Sequence, residues 1–282
     1  MDVSQIEKVR PLAGGGGNAS VDLVRASGRL WVLKCHRPRE IAAERLFQKY
    51  LREYGLPCLH VEDCPGLGPD QLLMEYVPGS PTIGGSPSVE LCRRWGAAIG
   101  DLHRIQSTEF KTLDDQGVPV LASWQEFVAG LIHEAIEGQR SRETDLPGYV
   151  LDQAALRLAA LRSFNPPDFV LTHGDLHLNN ALARDGEIVL FDKPAGVWLA
   201  PRIFDLCLIY SEAFPGARYG INRDGDEVRM SAFLEGYAGF PPEQGEWLEH
   251  FVLLRSLRRY PSPFVPELRA IIETAVDRIS NS

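Results

Sequence analysis

The pattern of amino acids changes near residue 77, and this change limits the architectures that the chain can adopt. The first 77 residues contain short apolar runs separated by Gly, Pro and Ser, together with one segment of helical spacing. Beyond them, apolar residues recur mostly at helical spacing. The intervening stretch VPGSPTIGGSP, residues 77–87, is typical of a linker. We therefore predict an α+β chain with two lobes: a small β-rich N-terminal lobe with one main helix, residues 1–77, and a larger, mostly helical C-terminal lobe, residues 78–282.

The smaller lobe is predicted to contain a sheet and a helix. The runs IEKVRPL, VDLVRA and RLWVLKC indicate three antiparallel strands, the last two joined by a turn at Ser27 and Gly28. REIAAERLFQKYLREYG has helical spacing and ends at Gly55, and QLLMEYV follows as a further strand. At the start of the larger lobe, Ser86 is predicted to cap a helix that has Pro87 at its first position.

Charge and cysteine content exclude several classes of function. The net charge is −9, and the first 77 residues are neutral, so the acidic surplus lies in the second lobe. Nucleic acids and anionic membranes are poor partners for such a surface. A cationic ligand fits it, and so does an ordinary acidic surface with no ligand. The odd number of cysteines without CxxC spacing, and the absence of a signal-like or membrane-length apolar stretch, predict a cytoplasmic protein with reduced thiols.

Two features of the first lobe suit phosphate binding. Gly15, Gly16 and Gly17 lie between two predicted strands, where glycine lets backbone amides approach a charged oxygen, although a simple hairpin connection has the same composition. Lys34 lies on a half-buried strand and needs an anionic partner. Glu44, on the following helix, is the predicted partner, and such a pair is able to hold the ammonium over nucleotide phosphates.

The stretch HGDLHLNN, residues 173–180, follows the apolar run FVLT and carries the predicted chemistry. Asn180 lies five residues after Asp175, and Asp192 ends the apolar strand EIVLF. An aspartate, an asparagine and a second aspartate in this order are able to orient a hydroxyl and to hold Mg²⁺. Asp175 is therefore the predicted base, and Asn180 and Asp192 are the predicted metal ligands. His173 is predicted to brace the loop, and the role of His177 stays open.

These segments, in this order, resemble the aminoglycoside phosphotransferase and choline kinase-like family. The likeness extends over nearly the whole chain, through VLK, LLMEYVPGSP, GDLHRI, HGDLHLNN and FDKPAGVWLAPRIFDL, and His-Gly-Asp replaces the His-Arg-Asp of protein kinases. The resemblance implies a protein kinase-like fold, ATP or GTP as co-substrate and Mg²⁺. It also implies that Asp205 supports the catalytic loop, that Met74 lies near the adenine, and that the backbone of Glu75 and Val77 binds the adenine edge.

The sequence departs from the family pattern at three points. Lys34 and Glu44 are only ten residues apart, which indicates a short connection between strand and helix. Lys193 follows the predicted metal-binding aspartate, where many relatives carry an aromatic residue; it either adds charge beside the γ phosphate or points to solvent, and we favour the second prediction. No APE-like segment follows Asp192, which argues against a protein substrate.

The resemblance and the acidic second lobe predict a kinase that phosphorylates a hydroxyl of a cationic antibiotic, such as an aminoglycoside or a basic peptide, and so gives resistance. Candidate acceptor contacts are acidic residues of the second lobe: Glu212, Asp224, Asp226 and Glu227. The alternative is a metabolic kinase acting on choline, an amino alcohol, homoserine or a sugar. A third hypothesis is a nucleotide-binding pseudokinase, although the Lys, Asp and metal-ligand positions are all filled.

Overall fold

The fold is taken from a computed structural model of the chain, which describes residues 6–12, 19–78, 87–142, 144–219, 221, 224–238, 245–262 and 266–281. The predicted lobe boundary falls at the end of the second of these ranges, and most of the predicted linker lies outside the described residues. No helix in the described part of the chain is long and apolar enough to cross a membrane.

The N-terminal part is a five-stranded antiparallel sheet with one helix. Its strands are β1 (Glu7–Pro11), β2 (Ser20–Ala26), β3 (Arg29–Cys35), β4 (Val61–Glu62) and β5 (Gln71–Glu75), in the order β1-β2-β3-β5-β4. Ser27 and Gly28 both have positive φ in the β2–β3 turn, as a two-residue hairpin with right-handed strand twist requires. The sequence predicted β1, β2, β3, β5 and this turn, which are confirmed, but it did not predict β4.

Helix α1 (Pro38–Glu53) joins β3 to β4 and packs against the sheet. Pro38 occupies the first turn, where a missing amide proton costs nothing, and Gly55 has φ +70° just beyond the helix. The buried face also contains a polar side chain, Gln48. Its amide accepts from the backbone of Leu59 at 2.7 Å and donates to the carbonyl of Leu190 at 2.9 Å. Gln48 therefore ties α1 to the second part of the chain.

The second part is mostly helical but contains more strand than the sequence predicted. Its helices are α2 (Val89–Leu102), α3 (Trp124–Ser141), α4 (Gly148–Leu158), α5 (Ile203–Leu208), α6 (Gly216–Tyr219), α7 (Asp226–Gly236), α8 (Leu248–Arg259) and α9 (Leu268–Asn281). Its strands are β6 (Gln106–Ser107), β7 (Lys111–Leu113), β8 (Pro119–Leu121), β9 (Phe169–Leu171), β10 (Ala181–Arg184), β11 (Glu187–Leu190) and β12 (Val197–Ala200). They form a sheet of order β6-β9-β12-β7-β8 and a separate β10-β11 hairpin.

The start of α2 differs from the prediction. Ser88, not Ser86, is the N-cap, and its hydroxyl accepts from the amide of Leu91 at 3.2 Å. The helix therefore begins after Pro87 rather than at it. Ser88 meets the capping requirement because its side chain satisfies an amide that the first turn leaves unpaired.

Helices α2 and α7 cross at a contact that only glycine permits. A Cβ atom on Gly236 would lie 1.8 Å from the carbonyl oxygen of Arg93, and a Cβ on Gly96 would lie 2.0 Å from that of Phe233. Both neighbours are backbone atoms of packed helices, so neither is able to move alone. The pair of glycines sets the separation of the two helices.

We expect Gly236→Ala to lower the free energy of unfolding by about 3 kcal/mol, because the added methyl forces the two helix backbones apart. Urea unfolding followed by circular dichroism measures the change. The matched control is Gly130→Ala on α3, where a Cβ meets no atom within 4 Å. That control is expected to be neutral or to stabilise by about 0.5–1 kcal/mol through helix propensity. Equal effects of the two substitutions would show that the close approach is not limiting.

Candidate active site

The loop after β9 is held in place by a buried carboxylate. Asp205, on α5, accepts from the backbone amides of His173 at 2.6 Å and Gly174 at 2.7 Å. Oδ2 of Asp205 also lies 3.2 Å from Nε2 of the buried His103 ring. Burial acts to raise the pKa of Asp205, but the hydrogen bonds and the charge of His103 outweigh it, and the pKa is lowered. Asp205 therefore supports the catalytic loop, as the resemblance implies.

His173 is fully buried and braces the same loop, as predicted from the sequence. Its Nε2 donates to the carbonyl of Phe191 at 2.8 Å, and its Nδ1 accepts from the amide of Asp175 at 3.3 Å. One ring nitrogen donates and the other accepts, so the hydrogen bonds require the neutral tautomer. Burial also lowers the pKa of His173. The ring thus joins the loop after β9 to the end of β11.

Asp175 makes hydrogen bonds through both of its carboxylate oxygens. Oδ2 accepts from the amide of Asn180 at 3.1 Å, and Oδ1 accepts from Arg255 at 2.9 Å and Arg259 at 3.2 Å. The Nε2 atom of His177 lies 3.1 Å from Oδ1. Burial acts to raise the pKa of Asp175, but the hydrogen bond from His177 and the charges of His177 and both arginines lower it well below its ordinary value. The carboxyl group is therefore ionised at neutral pH.

The two predicted metal ligands lie at neighbouring backbone positions. The β10–β11 hairpin pairs Ala181 with Leu190, and the amide of Phe191 donates to the carbonyl of Asn180 at 3.1 Å, so Asp192 follows directly beside Asn180. Asp192 has φ +64°, a conformation in which aspartate and asparagine are tolerated better than most residues. No group of three or more His, Cys, Asp and Glu side chains in the described ranges is arranged to hold a metal. The oxygen donors available here, an amide and a carboxylate, nevertheless suit Mg²⁺, which often takes few protein ligands when phosphates supply the others.

Lys34 is 5% exposed and forms an ion pair with Asp192. Burial acts to lower the pKa of Lys34, but the charges of Glu44, Asp192 and Glu40 raise it above its ordinary value. The predicted direct pair between Lys34 and Glu44 is not the one that the structure forms. The buried carboxylate of Glu44 accepts instead from the backbone amide of Lys193 at 2.7 Å and from Gln48 at 2.9 Å. Glu44 therefore acts on the ammonium through its charge and also fixes the segment that carries Asp192.

The prediction that Lys193 points to solvent is wrong. The side chain is 1% exposed, and its ammonium donates to the carbonyls of Val197 at 2.6 Å and Pro194 at 3.2 Å. It also lies 5.8 Å from the centroid of the Trp198 ring. These acceptors take the place of water around a buried cation. Burial still dominates and lowers the pKa of Lys193 to about 8.

A lowered lysine pKa predicts a particular dependence of stability on pH. Below pH 8 the ammonium is charged in both the folded and unfolded chain, and folding bears the cost of burying it. As the pH rises from 8 towards the ordinary value of 10.5, only the unfolded chain still binds the proton, so stability rises. We expect this gain to be about 3 kcal/mol and to be absent from Lys193→Met. Urea unfolding at a series of pH values compares both proteins with Lys49→Met, an exposed control; parallel curves for all three would contradict the prediction.

The predicted adenine-binding segment lies beside an apolar cluster. Met74 is 4% exposed and packs in a cluster that also contains Ile41, Leu59, Leu72 and Val189, against Val32, Val61, Val77, Leu182 and Phe191. These residues come from the N-terminal sheet, α1 and the β10–β11 hairpin. The amide of Glu75 already donates to the carbonyl of His60 at 2.8 Å, so this amide is not available to a nucleotide base. The predicted phosphate-binding residues Gly15, Gly16 and Gly17 lie outside the described residues.

Of the four acidic residues predicted to contact the acceptor, only Glu212 has described contacts with the residues around Asp175. The carboxylate of Glu212 lies 3.1 Å from Nε2 of His177 and 3.2 Å from Nε of Arg255. Asp226 instead accepts from the backbone amide of Gly216 at 2.9 Å. None of the described contacts connects Asp224, Asp226 or Glu227 with Asp175.

Sequence reasoning missed Arg255 and Arg259 on α8. They lie four residues apart, on one helix face, and both reach Asp175. The run RSLRR was the available signal, but basic residues in the last turn are ordinary, since they favour the negative end of the helix dipole. Their partner lies 80 residues or more earlier in the chain.

The sequence of residues 8–239 matches the phosphotransferase enzyme family APH. The chain belongs to this family. It is therefore an ATP-dependent phosphotransferase that acts on a hydroxyl group of a small molecule. No match was found among curated proteins.

Solved structures show the same fold at low identity. The chain is similar to a thermostable mutant of aminoglycoside phosphotransferase APH(4)-Ia in its apo form, with 14% identity and a TM-score of 0.71 over 98% of this chain and 96% of that one. A complex of a thermostable mutant of APH(4)-Ia with AMP-PNP and hygromycin B has 16% identity and a TM-score of 0.69 over 98% of this chain and 94% of that one. An ethanolamine kinase from Plasmodium vivax has 16% identity and a TM-score of 0.59 over 97% of this chain and 83% of that one. These similarities confirm the kinase-like fold of the APH phosphotransferase family, with its β-rich N-terminal sheet and helical C-terminal part.

Proposed function

We propose that this chain transfers the γ-phosphoryl group of ATP, or of GTP, through Asp175, Asn180, Asp192 and Lys34. The supporting observation is a continuous series of contacts between the N-terminal sheet and the catalytic loop. Lys34 pairs with Asp192, Asp192 follows the residue that binds the backbone of Asn180, and Asn180 donates to Asp175. A kinase site needs an ammonium, hard oxygen ligands and a base within one cleft, and these contacts bring such groups together.

Each side chain has a separate task in the proposed mechanism. Asp175 orients the acceptor hydroxyl and receives its proton, while Lys34 holds phosphate oxygens. Asn180 and Asp192 would hold Mg²⁺, which supplies charge neutralisation on the phosphates when it is bound. Glu44 keeps its position beneath the segment of Asp192 through the amide of Lys193. The Glu75 carbonyl and the Val77 backbone bind the base, and Gly15, Gly16 and Gly17 cover the phosphates.

The charges around Asp175 favour a metabolite as the acceptor over a polycationic antibiotic. A polycation gains binding energy where carboxylates face it without nearby cations. Here Asp175 and Glu212 are already paired with Arg255 and Arg259. The acidic surplus of the whole chain therefore does not produce a negative net charge around Asp175. The known fold neighbours include both aminoglycoside and ethanolamine kinases, so the fold does not select between the two classes.

A coupled assay of ADP release tests the proposal. The protein is incubated with ATP or GTP, with and without Mg²⁺, over a panel of hydroxylated metabolites and cationic antibiotics. We expect Mg²⁺-dependent release stimulated by a metabolite, and no increase in bacterial resistance when the protein is expressed. Protection against an aminoglycoside or basic peptide, with phosphorylation of that compound, would establish the antibiotic kinase instead. Nucleotide binding without turnover for any acceptor would indicate a pseudokinase.

A further inference from the structure

Both oxygens of the proposed catalytic carboxylate already accept hydrogen bonds from other side chains. Oδ2 of Asp175 is bound by Asn180, and Oδ1 is bound by Arg255 and Arg259. Guanidinium–carboxylate contacts are strong, charge-assisted hydrogen bonds. Oδ1 therefore accepts as many hydrogen bonds as its two lone pairs allow, whereas Oδ2 keeps one acceptor site. An acceptor that binds the arginines itself would release Oδ1 as part of substrate binding.

The arginines are more accessible than Glu212, one of the two acidic residues with which they pair. The side chains of Arg255 and Arg259 are 18% and 23% exposed, whereas that of Glu212 is 1% exposed and that of Asp175 is 30% exposed. Nη1 of Arg255 and both Nε and Nη2 of Arg259 have no hydrogen-bond acceptor among the described residues. The side of this network that a ligand meets therefore presents unused N–H donors beside the carboxylate of Asp175.

The charge balance favours an acceptor with a single negative charge. The two guanidinium groups and the two carboxylates of Asp175 and Glu212 cancel formally. One added carboxylate gains directed donors from both guanidinium groups, and these two groups then leave no further cation of this network to pair with the second negative charge of a dianion. Guanidinium groups match the geometry of a carboxylate, which accepts two parallel hydrogen bonds.

We propose that the acceptor is a hydroxy acid whose carboxylate binds Arg255 and Arg259 and thereby frees Oδ1 of Asp175. This inference rests on the proposed function of the same site. The acceptor oxygen then forms a bond to the γ phosphorus, and the bond from that phosphorus to the bridging oxygen breaks, its electron pair leaving with ADP. The hydroxyl proton passes to Asp175. Arg255 and Arg259 are positioning residues, because they hold the acceptor while Asp175 takes the proton.

The test uses pairs of compounds that differ only in charge. Hydroxy monocarboxylic acids with the hydroxyl at C2, C3 or C4 are each compared with their primary amides in the ADP-release assay. For the wild-type protein we expect kcat/KM to favour an acid over its amide by about 30-fold, the scale of a charge-assisted hydrogen-bond pair. In Arg259→Gln the preference is expected to fall to within a few-fold of unity. Arg259→Lys is expected to restore part of it.

A control separates charge at the site from charge elsewhere. Arg140→Gln removes the same charge from an exposed position on α3, where Arg140 pairs with Glu137 and Asp152, and is expected to keep the acid preference. Unfolding midpoints of all variants show whether folding is retained. A preference that survives Arg259→Gln, an equal use of acids and amides, or stimulation only by amines or neutral alcohols would overturn the proposal.

The failure of this inference is distinguishable from failure of the proposed function. Slow Mg²⁺-dependent hydrolysis of ATP by water needs the phosphate-binding groups but no acceptor. If hydrolysis occurs and no acid stimulates it, the hydroxy-acid proposal is wrong and phosphoryl transfer stands. If neither hydrolysis nor transfer occurs in the folded protein, the proposed function itself is wrong.

Discussion

Replacement of Asp175 by Asn is expected to lower kcat by about 10³–10⁴-fold, the upper range for the loss of a general base. Asparagine keeps the shape of the side chain and an oxygen for Arg255, but it does not accept a proton from the hydroxyl. Asp175 has no described contact with Lys34, so the affinity for ATP is expected to change by less than about threefold, within about 1 kcal/mol. ADP release in single-turnover and steady-state experiments measures the first effect, and titration with a fluorescent ATP analogue measures the second.

The matched control for this variant is Asp152→Asn on α4. Asp152 is exposed and pairs only with Arg140 among its described contacts, so its substitution is expected to leave kcat unchanged. Near wild-type turnover in Asp175→Asn would assign proton acceptance to another group. A large loss of ATP affinity in the same variant would instead show that the carboxylate organises the nucleotide site.

The polar contacts of the loop after β9 were predictable because its residues are close in sequence and chemically unusual. Polar side chains such as those of His173, Asp175 and Asn180 rarely follow a buried strand unless they have hydrogen-bonding partners, because burial without partners costs free energy. The structure meets this expectation: each of the three side chains has a hydrogen-bonding partner within the loop or at the strand end beside it. Local pattern and local contacts agree here, and the sequence was sufficient.

Other features depended on contacts between distant segments. Lysine is usually solvent-exposed, and Lys193 is buried because the carbonyls of Pro194 and Val197 and the ring of Trp198 surround its ammonium group. Glu44 has the helix position that an ion pair with Lys34 requires, but its carboxylate accepts from the backbone amide of Lys193, 149 residues later in the chain. The strands β6, β7 and β8 are too short to show alternation, so these three strands of the second sheet left no sequence signal.

The acceptor site shows the same limit in its most consequential form. Net charge predicted a cationic ligand because the sum over the sequence ignores where each charge lies. Arg255 and Arg259 balance the charges of Asp175 and Glu212, and Glu212 is the only one of the four predicted acidic residues with a described contact to this network. The local charge around Asp175 therefore depends on pairings across 80 residues of sequence that composition does not record.

Asp192→Asn is expected to lower turnover by at least about 10³-fold, the scale seen when a preorganised electrostatic group is removed. The amide is a weaker ligand for Mg²⁺ than a carboxylate, so the Mg²⁺ concentration for half-maximal ADP release is also expected to rise. The fold should survive, because Asp192 is about half-exposed, Glu44 and Glu40 still face the ammonium of Lys34, and asparagine tolerates the φ of +64° at this position.

Asp185→Asn is a matched control: Asp185 is exposed in the β10–β11 turn with φ +50°, and its substitution tests the same backbone conformation without the metal-binding role. Retained turnover and an unchanged Mg²⁺ dependence in Asp192→Asn, with both variants folded, would remove Asp192 from the metal site.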